Sequence, residues 1–419
     1  MADPAAPRAM LSLDEVLARL LQVARERRLR DTEHVSTFDG LGRVLAEAVR
    51  STLDVPPADN TSMDGYALRT ADVPAAGVVL PVSQRIPAGV VGQPLAAGSA
   101  ARIFTGAQVP AGADAVVMQE QCEAVAGDGL GAVRVQAVPQ TGQWIRRRGE
   151  DVMQGAEVLA AGLRLTPQAL GLAASVGAGR LAVLRRPRVA LFSTGDELVM
   201  PGEPLKPGAI YNSNRFTLCA LLRAAGCEVE DLGIVPDRLD ATREALRRAA
   251  EGNDLILTSG GVSVGEEDHL KPAVQAEGWL EAWQVAIKPG KPLAFGAVRR
   301  GAGGETLFMG LPGNPVSSFV TFLLAVAPVL RALQGSPLAA LPQALAVRAD
   351  FDWPKPDKRR EFLRARFNAQ GGLELFPNQS SGVLTSAVWA DGLVDNPPGQ
   401  AIRRGDTVQL LLLSSLIGA

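Results

Sequence analysis

Residues 254–268, DLILTSGGVSVGEED, decide the fold of the central part of this chain. The apolar run 254–257 has the length of a short buried strand, and it ends in glycines, hydroxyls and carboxylates. Open α/β sheets bind ligands where the carboxyl ends of their strands meet. Gly260 and Gly261 allow backbone to approach a phosphate-like group, and residues 266–268 supply carboxylates for a hard cation. The segment therefore predicts an α/β sheet with a ligand site at this strand end.

Two further strand exits carry residues suited to anion binding. Residues 288–292 read KPGKP, and residues 310–318 read GLPGNPVSS directly before a long apolar helix pattern. The start of that helix, near Pro315, offers unpaired N–H groups and a positive dipole end. Each feature also has an ordinary structural interpretation: a tight turn for the glycine pair, solvated loop lysines, and a proline-started helix. Their occurrence at successive strand exits favours an anion site.

Strand and helix patterns alternate on both sides of this segment, which requires a parallel sheet. The predicted strands are 189–193, 228–235, 254–257, 293–295 and 306–309, and the predicted helices are 214–225, 240–250 and 316–333.

The rest of the chain has different patterns of apolar residues, glycine and proline. Residues 12–28 predict an amphipathic helix that opens with a Ser12–Glu15 capping box. From residue 55 to about 144, short apolar runs broken by glycine and proline indicate a β-rich insertion. The helical pattern returns at 166–177, so the flanking regions form one interrupted domain. Beyond residue 335, short alternating runs predict a small β-barrel or sandwich.

Composition excludes several classes of protein. The 419 residues carry 42 basic and 44 acidic side chains, a net charge of −2, which argues against a general nucleic-acid binder. No run of eighteen apolar residues and no secretory leader pattern is present, so we expect a cytoplasmic protein without membrane contact. Three cysteines without metal-ligand spacing are expected to be structural, and His34 and His269 are too few for a three-histidine zinc site.

Taken together, these segments resemble the molybdopterin molybdenumtransferase (MoeA) family, whose eukaryotic relative is the E domain of gephyrin. The resemblance covers nearly the whole chain. Its motifs are NTSMDGYA (60–67), RIFTGAQVP (102–110), RGEDV (148–152), STGDEL (193–198), TSGGVSVGEED (258–268), IKPGKP (287–292) and GLPGNPVSS (310–318).

The resemblance implies a multidomain α/β fold and a homodimer in which the N-terminal part of one subunit faces the central domain of the other. The expected parts are an elongated discontinuous domain (1–54 and 145–184), a small β-rich domain (55–144), a central three-layer α/β/α domain with a mostly parallel sheet (185–335) and a C-terminal β-barrel (336–419). The implied reaction is the insertion of molybdate into adenylylated molybdopterin with Mg²⁺-dependent release of AMP. An upstream molybdopterin adenylyltransferase is then the expected source of the pterin substrate.

The resemblance also assigns roles to residues that match its motifs. The candidate catalytic residues are Asp64, Thr105, Asp151, Glu197, Asp237 and Asp268; the candidate molybdate and substrate ligands are Lys288, Lys291, Pro292, Pro312, Pro315, Ser317, Ser318, Arg359, Ser380 and Ser381; the candidate phosphate and pterin loop is Ser259, Gly260, Gly261 and Ser263; and the candidate Mg²⁺ ligands are Asp237 and Asp268.

Other interpretations of these residues stay open. The aspartates also suit helix N-caps or turns, and the basic run 146–148 also suits solvated or ion-paired side chains. Gln284 stands four residues before Lys288, where some relatives have lysine, so we expect less positive charge in the anion pocket. The alternative functions are a nucleotide or pterin pyrophosphate hydrolase that shares the central domain, and a gephyrin-like scaffold. Molybdate and tungstate are too similar for the residues to separate them.

Overall fold

The structure, a computed structural model, describes residues 10–261, 269–337 and 340–417. The N-terminal part contains two helices and a series of short strands. They are α1 Leu13–Glu26, β1 Thr32–Ser36, β2 Val49–Arg50, β3 Asn60–Thr61, β4 Gly65–Leu68, β5 Val78–Ile86, β6 Ala100–Ile103, β7 Ala115–Met118, β8 Cys122–Val125, β9 Ala132–Val135, β10 Ile145–Arg146, β11 Glu157–Leu159, α2 Pro167–Ser175 and β12 Arg180–Leu184.

The β-rich insertion forms its own sheet in the order β7-β4-β6-β5-β9-β8. Apolar side chains on its two faces form two small cores, one around Ile103 and Val116 and one around Leu80 and Val133. The flanking segments return to one another through two-stranded pairs, β1 with β12 and β2 with β11. The chain therefore leaves the flanking region, forms the β-rich insertion and returns, as the change in residue pattern along the sequence indicates.

The central part alternates strands and helices around one sheet. Its elements are β13 Arg188–Thr194, β14 Leu198–Val199, β15 Ile210–Tyr211, α3 Ser213–Ala224, β16 Glu228–Val235, α4 Leu239–Ala250, β17 Leu255–Ser259, α5 Leu270–Glu277, β18 Gly278–Gln284, β19 Ile287–Lys288, β20 Pro292–Arg299, β21 Glu305–Leu311, α6 Pro315–Thr321, a π-helical turn at Phe322–Val326, and α7 Ala327–Leu333.

The central sheet has the order β16-β13-β17-β21-β20-β18. Its first four strands pair in parallel, and β20 pairs antiparallel with both of its neighbours, β21 and β18. Helices α4 and α5 cover one face, and α1, α3, α6 and α7 cover the other. This is a three-layer arrangement. It places the carboxyl ends of β13, β16, β17 and β21 along one edge, where the sequence predicts the ligand site.

Helix α1 begins with the predicted capping box, in which Glu15 N–H donates to Ser12 Oγ at 3.2 Å and Ser12 N–H donates to Glu15 Oε2 at 2.8 Å. We expected residues 1–54 to belong with the elongated domain. Helix α1 instead buries Val16 and Leu20 in the core of the central sheet, where each contributes about 1.5–3 kcal/mol. The residue pattern cannot show which core α1 packs into, because an apolar helix face does not identify the element that covers it.

The segment Pro315–Leu333 has the length and mean hydropathy of a membrane span, yet 94% of its most apolar window is buried inside the protein. It is the core helix of the central part. Its π-helical turn ends at Val326, two residues before Pro328 of α7. Proline lacks the N–H that a continuous α-helix would need there, so the wider turn accommodates it.

The C-terminal part consists of β22 Leu345–Arg348, β23 Arg360–Phe367, β24 Leu373–Leu375, α8 Thr385–Trp389, β25 Gly392–Asn396, β26 Thr407–Leu412 and α9 Leu413–Ile417. Its sheet has the order β19-β23-β25-β26-β22, and β24 pairs with β23. Strand β19 comes from the central part, so the two parts share a sheet. An isolated bridge joins Ala349, the residue after β22, to Leu373 of β24. Closure into a barrel stays a prediction.

Candidate active site

A cleft of about 970 Å³ lies at the carboxyl edge of the central sheet. Thr194 and Gly195 reach it from the end of β13, Asp237 from β16, and residues 259–261 from β17. Residues 312–314, between β21 and α6, and Pro315, the first residue of α6, complete this wall. Strand ends that are far apart in sequence thus meet in one place, as parallel topology dictates.

The structure brings most of the candidate residues of the central and C-terminal parts into this cleft. Those that line it are Glu197, Asp237, Ser259, Gly260, Gly261, Lys288, Lys291, Pro292, Pro312, Pro315, Ser317, Arg359, Ser380 and Ser381. Ser263 and Asp268 lie outside the described residues.

Three features of this region differ from expectation. Ser318 is 1% exposed and does not line the cleft, because adjacent helical residues point about 100° apart and Ser317 takes the cleft-facing position. Gln284, expected to affect the anion pocket, is exposed and also lies outside the lining. Unpaired N–H groups were expected at the start of α6, but the N–H of Val316 donates to the carbonyl of Ser381 at 3.0 Å.

The glycine turn after β17 adopts backbone conformations that favour glycine. Gly260 has φ +91° and Gly261 φ +64°, and a Cβ on Gly260 would lie 2.9 Å from the carbonyl oxygen of Thr194. Steric need alone therefore explains these glycines. The backbone of this compact turn lines the cleft, and Ser259 lines it next to the turn.

One end of the cleft, the cationic end, is defined by Lys288, Lys291 and Arg359. Lys288 Nζ lies 3.2 Å from Glu361 Oε1 and 3.5 Å from Asp357 Oδ2. Arg359 binds Asp357 through Nε at 2.9 Å and Nη2 at 2.8 Å. Lys291 is exposed and has no ion pair with any described residue. Carboxylates therefore orient two of the three cations toward the cleft.

The two carboxylates of the cationic end sit in different surroundings. Hydrogen bonds from Arg359 hold the pKa of Asp357 well below its ordinary value, so this group stays ionised at neutral pH. Glu361 is fully buried, and its Oε2 accepts a hydrogen bond of 2.8 Å from Trp353 Nε1. A buried carboxylate beside Lys288 fixes the ammonium in place.

The carboxylates Glu197 and Asp237 define a second region of the cleft, the acidic end. Neither side chain forms an ion pair with any residue that the structure describes. Mg²⁺ is usually held by one or two carboxylates together with substrate phosphates, so this pair fits such an ion. Within residues 10–261, 269–337 and 340–417, three or more potential ligands do not cluster. The fit therefore requires ligands from the substrate or from outside that range.

The N-terminal candidates do not line the cleft of their own chain. Asp64 and Thr105 nevertheless contact each other, since Thr105 donates to Asp64 Oδ1 from its N–H at 2.7 Å and from its hydroxyl at 2.8 Å. The backbone N–H of Thr105 lowers the pKa of Asp64. Asp151 is exposed. Asp64 and Thr105 thus form one small hydrogen-bonded site that does not line the cleft.

The basic run near Asp151 is largely ion-paired, which was one of its two interpretations. Arg147 Nη1 lies 2.7 Å from Asp59 Oδ2, and Arg148 Nε lies 2.6 Å from Asp54 Oδ2. These exposed pairs contribute little stability, but they tie residues 147–148 to the segment before β3.

Sequence reasoning missed several residues of the cleft. Asp357 and Glu361 flank Arg359 in sequence, so their proximity was a usable signal. Asn212 gave no such signal. It is 2% exposed and lines the cleft, and its Oδ1 accepts the N–H of Arg215 as the cap of α3. Its Nδ2 has no hydrogen-bond partner among the described residues. Gln379 lines the cleft as well.

Comparison with known proteins identifies the family. Models for the MoeA N-terminal region (domain I and II), a probable molybdopterin binding domain and the MoeA C-terminal region (domain IV) match residues 11–177, 190–332 and 346–413. The molybdopterin molybdenumtransferase of Haemophilus influenzae is 39% identical over 87% of this chain and 89% of its own length. The chain belongs to the molybdopterin molybdenumtransferase family. The resemblance seen in the motifs is thereby confirmed.

Other relatives support the assignment along the whole chain. The Bacillus subtilis molybdopterin molybdenumtransferase is 34% identical over 97% of this chain and 95% of its own. The crystal structure of the MoeA protein from Pyrococcus horikoshii OT3 superposes with a TM-score of 0.80 at 30% identity, covering 96% of this chain and all of that one. The predicted multidomain α/β fold is confirmed, and the chain is a transferase of molybdenum cofactor biosynthesis.

Proposed function

We propose that this enzyme inserts molybdate into adenylylated molybdopterin, with Mg²⁺-dependent cleavage of the adenylate and release of AMP. One observation carries the proposal. A single cleft is lined by the cationic end, Lys288, Lys291 and Arg359, by the acidic end, Glu197 and Asp237, and by the glycine turn after β17. An oxyanion and a pyrophosphate-linked pterin need these two kinds of surroundings within one site.

The two ends have separable tasks. Lys288, Lys291 and Arg359 bind the oxyanion through charge-assisted hydrogen bonds, helped by the hydroxyls of Ser380 and Ser381. Asp237, with Asp268 as its predicted partner, would hold Mg²⁺ against the phosphates, and the ion when bound neutralises phosphate charge and polarises the anhydride. The turn at Gly260 and Gly261 lets the phosphate approach the backbone.

Incubation with adenylylated molybdopterin, Mg²⁺ and molybdate tests the proposal. AMP release is followed together with reconstitution of a molybdoenzyme that lacks its cofactor. We expect both products to require molybdate, or tungstate in its place for AMP release. AMP release independent of molybdate, without reconstitution, would instead identify a pyrophosphate hydrolase on the same fold.

We further propose that the enzyme acts as a cytoplasmic homodimer supplied by a molybdopterin adenylyltransferase. In this arrangement Asp64, Thr105 and Asp151 of one subunit complete the cleft of its partner. The support is that Asp64 and Thr105 form one hydrogen-bonded pair that does not line the cleft of its own chain. Such a pair has a function in the cleft only if another subunit brings it there.

Mixed dimers of two inactive variants test this completion. We expect Asp64→Asn and Lys288→Gln to be nearly inactive separately. After subunit exchange, half of the dimers are mixed, and each mixed dimer has one site with both residues intact, so activity should rise to about a quarter of wild type. Recovery must increase with exchange time. Mixtures that exchange fully, as shown by mass spectrometry of tagged subunits, yet stay inactive would show that Asp64 serves its own chain.

A further inference from the structure

The start of helix α3 lies in the wall of the cleft, and two of its N–H groups have no partner. An α-helix leaves its first four N–H groups without partners inside the helix. In α3 the N–H of Asn212 donates to the carbonyl of Val199 at 2.9 Å, and that of Arg215 donates to Asn212 Oδ1 at 3.1 Å. The N–H groups of Ser213 and Asn214 donate to no residue that the structure describes. Both residues line the cleft, as does Asn212.

The side-chain amide of Asn212 adds a third donor without a partner. Asn212 is 2% exposed, and its Nδ2 is buried without a hydrogen bond to any described residue. Its Oδ1 caps α3, a task that serine or aspartate performs as well without an amide N–H₂ group. Because Oδ1 is turned toward the first turn of the helix, Nδ2 is turned away from it. Capping thus accounts for Oδ1 and leaves Nδ2 unexplained, since a buried donor without an acceptor is costly.

Neighbouring contacts hold these donors in place. Asn214 Nδ2 donates to the carbonyl of Gly313 at 2.7 Å, which fixes the start of α3 to the loop between β21 and α6. The N–H of Ile210 donates to the carbonyl of Glu197 at 2.8 Å, which fixes β15 beside the acidic end. The three donors are therefore ordered before a ligand binds, and a preorganised site loses less entropy on binding.

The chemistry of these donors suits a phosphate group. The free N–H groups and the positive end of the α3 dipole favour an anion, and helix starts commonly bind phosphate in this way. Residues 210–214 of the cleft wall carry no charge, so this wall differs from the cationic end. The adjoining acidic end would repel a phosphate unless a cation offsets its charge, as the proposed Mg²⁺ would.

We propose that the start of α3 binds a phosphate group of the adenylylated substrate, through the N–H groups of Ser213 and Asn214 and the side-chain amide of Asn212. This inference rests on the proposed function. It adds a second anion site to the cleft, separate from the oxyanion site at the cationic end. AMP carries such a phosphate group, so AMP is the probe.

The variant Ser213→Pro tests the inference. Proline removes the N–H of residue 213 and fits the first position of a helix, where no bond within the helix is lost. Asn212 has ψ 80°, outside the helical region, which suits the residue before a proline. Leu239→Pro is the matched control, because it makes the same change at the first position of α4, where Leu239 is exposed and outside the cleft lining. Calorimetry gives the dissociation constants for AMP, with Mg²⁺ present, and for molybdate.

We expect Ser213→Pro to bind AMP about tenfold more weakly, the effect of losing one hydrogen bond to a charged group, and to keep its molybdate affinity. Ser213→Ala removes the hydroxyl alone and should weaken AMP less than Ser213→Pro does. Asn212→Ser keeps a capping oxygen and lacks Nδ2, so it should bind AMP about threefold more weakly. Leu239→Pro should bind both ligands as wild type does.

Several outcomes would overturn the inference. They are wild-type AMP affinity in both Ser213→Pro and Asn212→Ser, equal weakening of AMP in Ser213→Pro and Ser213→Ala, and equal weakening of AMP and molybdate in Ser213→Pro. If Ser213→Pro does not fold, wild-type AMP affinity in Asn212→Ser alone overturns it. A wild-type protein that binds molybdate but not AMP would refute the phosphate site and leave the oxyanion site intact. A wild-type protein that binds neither would refute the proposed function itself.

Discussion

Replacing Lys288 with glutamine is expected to reduce molybdate-dependent cofactor formation by about 100-fold, the scale of losing one aimed charged donor. The effect has two parts. The oxyanion loses a cation, and Glu361, which is fully buried and lies 3.2 Å from Lys288 Nζ, loses the charge that neutralises it. An uncompensated carboxylate then stays buried beside a residue that lines the cleft, and its charge repels molybdate.

The double variant Lys288→Gln, Glu361→Gln separates these two parts. Without the carboxylate, molybdate binding should recover in part, while either single change weakens it. Lys358→Gln is the matched control, because Lys358 is exposed on the same loop as Arg359 and does not line the cleft. The measurements are the molybdate dissociation constant and the rate of cofactor formation at saturating pterin. Unchanged binding in Lys288→Gln would remove Lys288 from the anion site.

Replacing Asp237 with asparagine is expected to reduce AMP release by about 100-fold or more at saturating molybdate, while molybdate binding is kept. Asparagine preserves the size of the side chain and removes the charge that would hold Mg²⁺. Asp237 lines the cleft without a cationic partner among the described residues. Its loss therefore breaks no ion pair there, and the free energy of unfolding should change by less than about 0.5 kcal/mol.

The Mg²⁺ dependence of AMP release gives the readout that a structural role would not change. Asp237→Asn should require more Mg²⁺ for half-maximal rate, and Glu197→Gln should show a smaller shift in the same direction. Asp240→Asn is the matched control, since Asp240 lies in the first turn of α4, is exposed and is outside the cleft lining. A normal rate and Mg²⁺ requirement in Asp237→Asn would exclude a metal-holding role for this residue.

Much of the site was predictable because parallel topology constrains it. Once β13, β16, β17 and β21 are recognised as parallel strands, their carboxyl ends must share an edge, so residues 259–261 and 312–315 have to meet. The motif match then added Lys288, in the two-residue strand β19, and Arg359, directly before β23, whose positions no periodicity determines. Local pattern and resemblance were therefore complementary.

What the sequence did not predict depends on non-local contacts. The pairing of Lys288 with Glu361 joins residues 73 positions apart. Arg364 is buried because both faces of β23 are covered over residues 361–365 and because Ser386 and Ser380 pack against its side chain, neither of which is visible in the string RREFLRARF. The same limitation applies to α1, whose apolar face was evident although its partner was not.

The most direct test of the account is the position of the bound oxyanion. Crystals soaked in tungstate, collected at a tungsten absorption edge, locate the ion by anomalous scattering without a model of the ligand. The account predicts one strong peak at the cationic end, within hydrogen-bonding distance of Lys288 and Arg359 and beside Ser380. A peak at Glu197 and Asp237, or no peak in the cleft under conditions where tungstate binds in solution, would contradict it.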